Sequence, residues 1–104
     1  MRSEQRPRPP SLRDIRREIS GTKGRYVMDL PGGEAELTYS ISSPNLIIAD
    51  HTNVPDTARG TGAGVSLAEQ LVSDARVEGV RIIALCQFVK AQARNHPDWA
   101  DVIV

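Results

Sequence analysis

Residues 34–41 alternate without a break. Ala35, Leu37, Tyr39 and Ile41 fall on one side, and Glu34, Glu36, Thr38 and Ser40 on the other. A period of two with one polar side predicts a half-buried antiparallel strand. Arg25 to Leu30 and Leu46 to Val54 predict a strand on either side of it, the second opening with the apolar run Leu46-Ile47-Ile48-Ala49. Pro31-Gly32-Gly33 and Ser42-Ser43-Pro44-Asn45 are turn signals, so the three strands form a meander. Pro55 lacks the N–H that a ladder needs and ends the third strand. From Gly62 to Glu78 the period becomes helical, with Gly64, Ala68, Leu71, Val72 and Ala75 on one face and Ser73, Asp74, Arg76 and Glu78 mostly opposite. Gly79 suits the residue after a helix end. Val80 to Leu85 is nearly continuous in apolar residues, the pattern of a strand buried on both faces. Cys86 closes it. A short helix around Val89 to Arg94 is broken by His96-Pro97, and a turn over Asp98 to Val102 tucks in Trp99.

Upstream of Gly24 the pattern is poor. Met1 to Pro10 is rich in Arg and Pro and has no periodic apolar residues, so disorder is expected there. Ser11 to Ser20 reads as a short helix, with Ser11 as N-cap and Leu12, Ile15 and Ile19 along one side. Residues 1–22 are therefore expected to be a disordered or weakly helical basic tail, and residues 23–104 the domain. The element order is β-β-β-α-β-α with a crossover helix before the last strand, which places the chain in the α+β class with a mixed sheet.

The chain has 104 residues and 39% hydrophobic residues, enough for one small core. A formal net charge of zero hides an asymmetry: residues 1–25 hold eight Lys and Arg against three acids, and the remainder is acidic by the same margin. The folded part is thus no nucleic-acid binder by bulk charge. Cys86 is the only cysteine, so no internal disulfide forms. No apolar run approaches the roughly 20 residues that span a bilayer, and no apolar segment follows the basic start as a secretory signal would require. The expected setting is cytoplasmic, with no membrane partner.

The segment with most chemical content is Ala58-Arg59-Gly60-Thr61-Gly62-Ala63-Gly64. A strand ends, glycines follow and a helix begins. The first N–H groups of a helix lack intrahelical acceptors, and the helix dipole adds positive charge there. Glycines let an anion approach the backbone closely. Arg59 can add a charge-assisted contact, so the segment reads as a phosphate site. It is no Walker loop, because Val65-Ser66 follows Gly64 where Lys-Ser/Thr is needed. It is no Rossmann turn either, because Val65 stands at the third glycine position and four residues separate strand from glycines.

The spacing Arg59-x-x-Gly62-x-Gly64 resembles the Arg/Gln-x-x-Gly-x-Gly/Ala signature of the GNAT acetyltransferase superfamily. The resemblance extends over Glu34 to Tyr39, Asp50 to Pro55, Asp74 to Gly79, Leu85 to Val89 and His96-Pro97, all similar to the minimal single-domain GNAT-like family. It implies an acetyl-CoA-dependent N-acyltransferase that needs no metal, with acetyl-CoA lying between two splayed strands. Carried over, Arg59, Gly60, Thr61, Gly62, Ala63 and Gly64 hold the pyrophosphate, the backbone of Asn53 and Val54 pairs with the pantetheine arm, and Cys86 and Phe88 lie near the thioester. The chain departs from the family pattern at Gln87, where proline is usual, at Gln92, where an aromatic residue is usual, and at Asn53, where glutamate is frequent. Full GNAT domains carry a helical segment between their first two strands. Here only Pro31-Gly32-Gly33 joins them, so the acceptor site should be open or be completed by a protein partner.

Acyl transfer to an amine needs a neutral amine, a donor for the developing oxyanion and an acid for the leaving thiolate. His51 is a candidate base, set against the plainer reading of a strand-end histidine. Cys86 either attacks the thioester and carries the acetyl group or stays a thiol and shapes the pocket while the amine attacks directly; the second is favoured, because no residue in the sequence is certain to activate it. Two rivals remain: a noncatalytic coenzyme A-binding module that recruits a protein, and an interaction protein that works through its basic tail. The amine or peptide acceptor is not specified.

Overall fold

The computed structural model describes residues 15–104. They form β1 (Ile15–Ser20), β2 (Lys23–Leu30), β3 (Gly33–Ser43), β4 (Leu46–Asn53), α1 (Ala63–Glu78), β5 (Arg81–Ala84) and α2 (Gln87–Arg94), with 3-10 turns at Asp56–Ala58 and Pro97–Asp101. The five strands make one sheet in chain order. β1 to β4 are antiparallel neighbours, and β5 is parallel to β4. The expected α+β mixed sheet is present, with one strand more at its start.

That strand corrects the helix expected over Ser11 to Ser20. Ile15–Ser20 pairs with β2 from Ile15↔Met28 to Ser20↔Lys23. Residues 1–14, including Ser11 and Leu12, lie outside the described residues. Ile15 and Ile19 are four apart, a spacing that a helix and a strand both satisfy. The polar residues decide between them. In a strand Arg17 shares their face and reaches α1, where its guanidinium donates to both Glu78 carboxylate oxygens, at 2.5 and 3.1 Å. Arg16 and Glu18 point the other way and pair with charged residues of β2 and β3. Among the described residues the sheet therefore includes Ile15–Ser20, upstream of residue 23 where the domain was expected to start.

Both helices cover one face of the sheet. Tyr26 and Met28 of β2, Ala35, Leu37 and Tyr39 of β3, and Ile47 and Ala49 of β4 are buried with Leu67, Ala68, Leu71, Val72 and Ala75 of α1, Val89 of α2 and Trp99. Each large apolar side chain buried there contributes about 1.5–3 kcal/mol. The Tyr26 hydroxyl donates to Asp74 of α1 at 2.8 Å. Burial, and then this bond to a carboxylate, push the phenol well above its ordinary range. The opposite face carries a lattice of charges. Arg25 donates to Glu18, Glu34 and Glu36, and Arg16 to Glu18, Asp29 and Glu34. The one-sided cover corrects the reading of Val80 to Leu85 as a strand buried on both faces. Ile82 is buried, Ile83 is half-buried and Leu85 is 59% exposed. Beyond β5 the chain end adds a short pairing, with Ile82 and Ile103 opposite each other. Among the described residues no helix is long and apolar enough to cross a membrane.

Candidate functional site

β4 and β5 stay in register from Leu46↔Arg81 to Ala49↔Ala84 and then part. The Ala49 carbonyl marks the fork by accepting both the Leu85 and the Cys86 N–H, at 3.0 and 2.9 Å. β5 ends there and α2 begins at Gln87, while β4 runs on to Asn53. From Asp50 to Asn53, β4 thus has β3 on one side and no strand on the other. Splayed strands were expected from the resemblance, and this is where they separate.

A bulge sits at the fork. β3 pairs Thr38 with His51 but Tyr39 with Ala49, which leaves Asp50 as the extra residue on β4. Simple alternation from Ile47 and Ala49 would turn His51 toward the helices. The bulge reverses this. Thr52, opposite Leu37, takes the helix face, and exposed His51, opposite Thr38, takes the charged face. His51 and Cys86 are therefore not brought together. Asp50 accepts from the Ser40 hydroxyl at 2.6 Å and has Lys23 at 3.8 Å.

The free edge of β4 leads into a cleft of about 490 Å³. Thr52, Asn53 and Val54 form one wall, Ala58, Arg59 and Gly60 the turn, Gly62 to Val65 the start of α1, and Phe88 the far side. Gly60 and Gly62 have φ of 83° and 87°, the left-handed region that other residues reach at a cost. These two turns bring the first residues of α1 to the wall of the cleft. The first helical bond runs from Ser66 N to Gly62 O, no side chain caps the helix, and its first turn holds no acidic residue. The positive end is therefore left unneutralised, as an anion site needs. Gly64 lies against Phe88, and a Cβ there would stand 2.8 Å from the ring. Absence of that atom lets α1 and α2 close on the cleft from two sides. Arg59 is largely exposed and has Asp56 at 3.2 Å, a surface pair weak enough to open for a ligand.

Eight of the expected ligand-binding residues line this one cleft: Asn53, Val54, Arg59, Gly60, Gly62, Ala63, Gly64 and Phe88. Thr61 does not line it, and its hydroxyl donates to Ala58 O. Cys86 does not line it either. The thiol is buried and lies 3.1 Å from the Thr52 hydroxyl, which does. Thr52 and Val65 also line it, though no motif or spacing singles them out. His96 is structural: Nδ1 is 2.7 Å from Gln92 O and the ring stacks on Trp99 at 4.1 Å. Among the described residues no group of three His, Cys, Asp or Glu is placed to hold a metal ion.

The sequence model of the GCN5-related N-acetyl-transferases matches residues 25–102, three quarters of the chain. The chain belongs to the GCN5-related N-acetyltransferase family. The solution structure of a GCN5-like putative N-acetyltransferase from Staphylococcus aureus is 30% identical to it, over 89% of this chain and 91% of that one, with a TM-score of 0.65. No curated protein matches. The family generally uses acetyl-CoA as cosubstrate. In this GCN5-related N-acetyltransferase the connections β1–β2 and β2–β3 are two residues each, Gly21-Thr22 and Pro31-Gly32, so nothing from them covers the charged face.

Proposed function

We propose that this GCN5-related chain is an acetyl-CoA-dependent N-acyltransferase that moves an acetyl group to an amine of a small molecule or peptide. The observation that carries the reading is the continuity of the free β4 edge with an uncapped, acid-free helix N-terminus inside one cleft. In this reading the N–H groups at the start of α1, with Arg59 and the backbone of Gly60 to Gly64, hold the pyrophosphate of coenzyme A. The free edge at Asn53 and Val54 pairs with the amides of the pantetheine arm, as an added strand would. That arm directs the thioester toward the fork, where Thr52 and Cys86 sit. Phe88 packs against it. His51 faces away from Cys86 and has no part in the transfer. The amine attacks directly, and Cys86 stays a thiol.

The test is a mass-spectrometric screen of amines and peptides incubated with acetyl-CoA and the protein. The reading expects a product heavier by one acetyl group and stoichiometric release of coenzyme A. Binding of coenzyme A with no acetylated product across the screen would favour the rival reading of a noncatalytic module whose open face recruits a protein.

A further inference from the structure

Thr52, not the lone cysteine, is the polar side chain that the fold presents at the inner end of the cleft. Three observations meet there. The bulge at Asp50 turns Thr52 onto the helix face. Thr52 lines the cleft and is partly exposed, whereas Cys86 is 5% exposed and does not line it. Their Oγ1 and Sγ are 3.1 Å apart, and Thr52 is the only side chain hydrogen-bonded to Cys86 among the described residues. The Cys86 backbone is anchored separately, through its N–H to Ala49 O and its own carbonyl to Lys90 N–H. The backbone of Cys86 is thus fixed at the fork, and Thr52 is the side chain that its thiol meets.

On the acetyltransferase reading given above, we propose that Thr52 is a catalytic residue that shuttles the proton of the transfer, and that Cys86 is a positioning residue that holds the Thr52 hydroxyl. The Cys86 thiol donates to Thr52 Oγ1, which leaves the hydroxyl proton of Thr52 free to point into the cleft. As the amine attacks, a C–N bond forms and the C–S bond breaks, its electron pair going to the coenzyme A sulfur. The hydroxyl proton of Thr52 moves to that sulfur, and Thr52 Oγ1 takes the proton that the nitrogen gives up. Threonine ends as it began, no proton is gained or lost, and no acetyl group is ever carried on Cys86. A threonine alone is a poor acid; passing one proton on while receiving another avoids a charged hydroxyl.

The experiment compares wild type with Thr52→Val, Thr52→Ser, Cys86→Ala and Cys86→Ser. With the acceptor found in the screen, Thr52→Val should lower kcat by about tenfold or more, at the low end of what proton transfer by a side chain supplies, and leave KM for acetyl-CoA within about twofold. Thr52→Ser should restore most of it. The two cysteine variants should lose only a few-fold, and intact-protein mass spectra should show no acetyl group on Cys86. A second readout needs no turnover. The protein has one cysteine, so its infrared spectrum has one S–H stretching band, which should move to higher frequency in Thr52→Val and return in Thr52→Ser. An unmoved band overturns the hydrogen bond. Full activity in Thr52→Val, or inactive cysteine variants beside an active Thr52→Val, overturns the shuttle. A wild type that transfers nothing overturns the acetyltransferase reading itself and the shuttle with it.

Discussion

Replacing Arg17 by methionine tests whether the N-terminal strand is part of the domain. Methionine keeps most of the length and apolar bulk and removes every polar contact. The guanidinium donates twice to Glu78, and its Nε donates to the Tyr39 hydroxyl at 3.1 Å. It also lies 5.5 and 5.9 Å from the ring centres of Tyr26 and Tyr39. The Glu78 pair is partly solvated, with side chains 30% and 42% exposed, so it contributes no more than about 1 kcal/mol. The Tyr39 bond adds about 1 kcal/mol, and the cation over the rings about 0.5. Packing kept by methionine leaves an expected loss of about 2 kcal/mol, which for a domain of this size lowers Tm by roughly 10 °C. Urea unfolding followed by circular dichroism measures it directly. In a double-mutant cycle with Glu78→Gln, the coupling should be about 0.5–1 kcal/mol. A loss within about 0.3 kcal/mol, together with zero coupling, would refute the docking of β1 on α1.

Acid should weaken the fold through three pairs. The carboxyls of Glu78, Asp101 and Glu18 are held below their ordinary range by hydrogen bonds from Arg17, Arg76 and Arg25 respectively. A carboxyl with a depressed folded value stabilises above its unfolded value and loses that contribution as pH falls through the folded one. Stability should therefore decline below about pH 4, and Arg17→Met should flatten part of that decline in a pH series of urea melts. Gly64→Ala should change stability by less than about 1 kcal/mol, because the helix gain offsets the clash with Phe88. Coenzyme A affinity should fall several-fold in the same variant, as the ring is pushed into the cleft; calorimetry separates the two. Gly62→Asp should stay folded, since aspartate tolerates positive φ better than most residues, and should lose the roughly 2.7 kcal/mol of stabilisation that wild type gains from coenzyme A at about 100 times its dissociation constant.

Strands with strong alternation and the long helix were legible because a single physical signal dominated each. β3 alternates over eight residues, and the face of α1 predicted from Gly64, Ala68, Leu71, Val72 and Ala75 is the buried one. β1 was not legible, since its inward face carries Arg17 between two isoleucines, and the partners that hold that arginine, Tyr39 and Glu78, lie more than 20 residues away. The bulge at Asp50 was hidden for a related reason. Nothing local in Ala49-Asp50-His51 announces an extra residue; the pairing with β3 imposes it. One residue of slip exchanges the faces of His51 and Thr52, so the strand could be read correctly while its cleft-facing side chain was not. The glycine segment was legible as a turn leading into a helix, because its glycines and the helical period that follows are both local signals. The place of Cys86 behind Thr52 depends on how two strands and a helix meet, which no spacing encodes.

Whether coenzyme A occupies the cleft beside α1 is tested by titrating it into the uniformly nitrogen-15-labelled protein and following amide chemical shifts. The largest changes should fall at Asn53, Val54, Gly60, Gly62, Ala63, Gly64 and Val65, and small ones at the charged-face residues Arg25, Glu36 and His51. Saturable binding whose largest shifts fall on the charged face, or no shifts at millimolar coenzyme A, would contradict occupancy of the cleft.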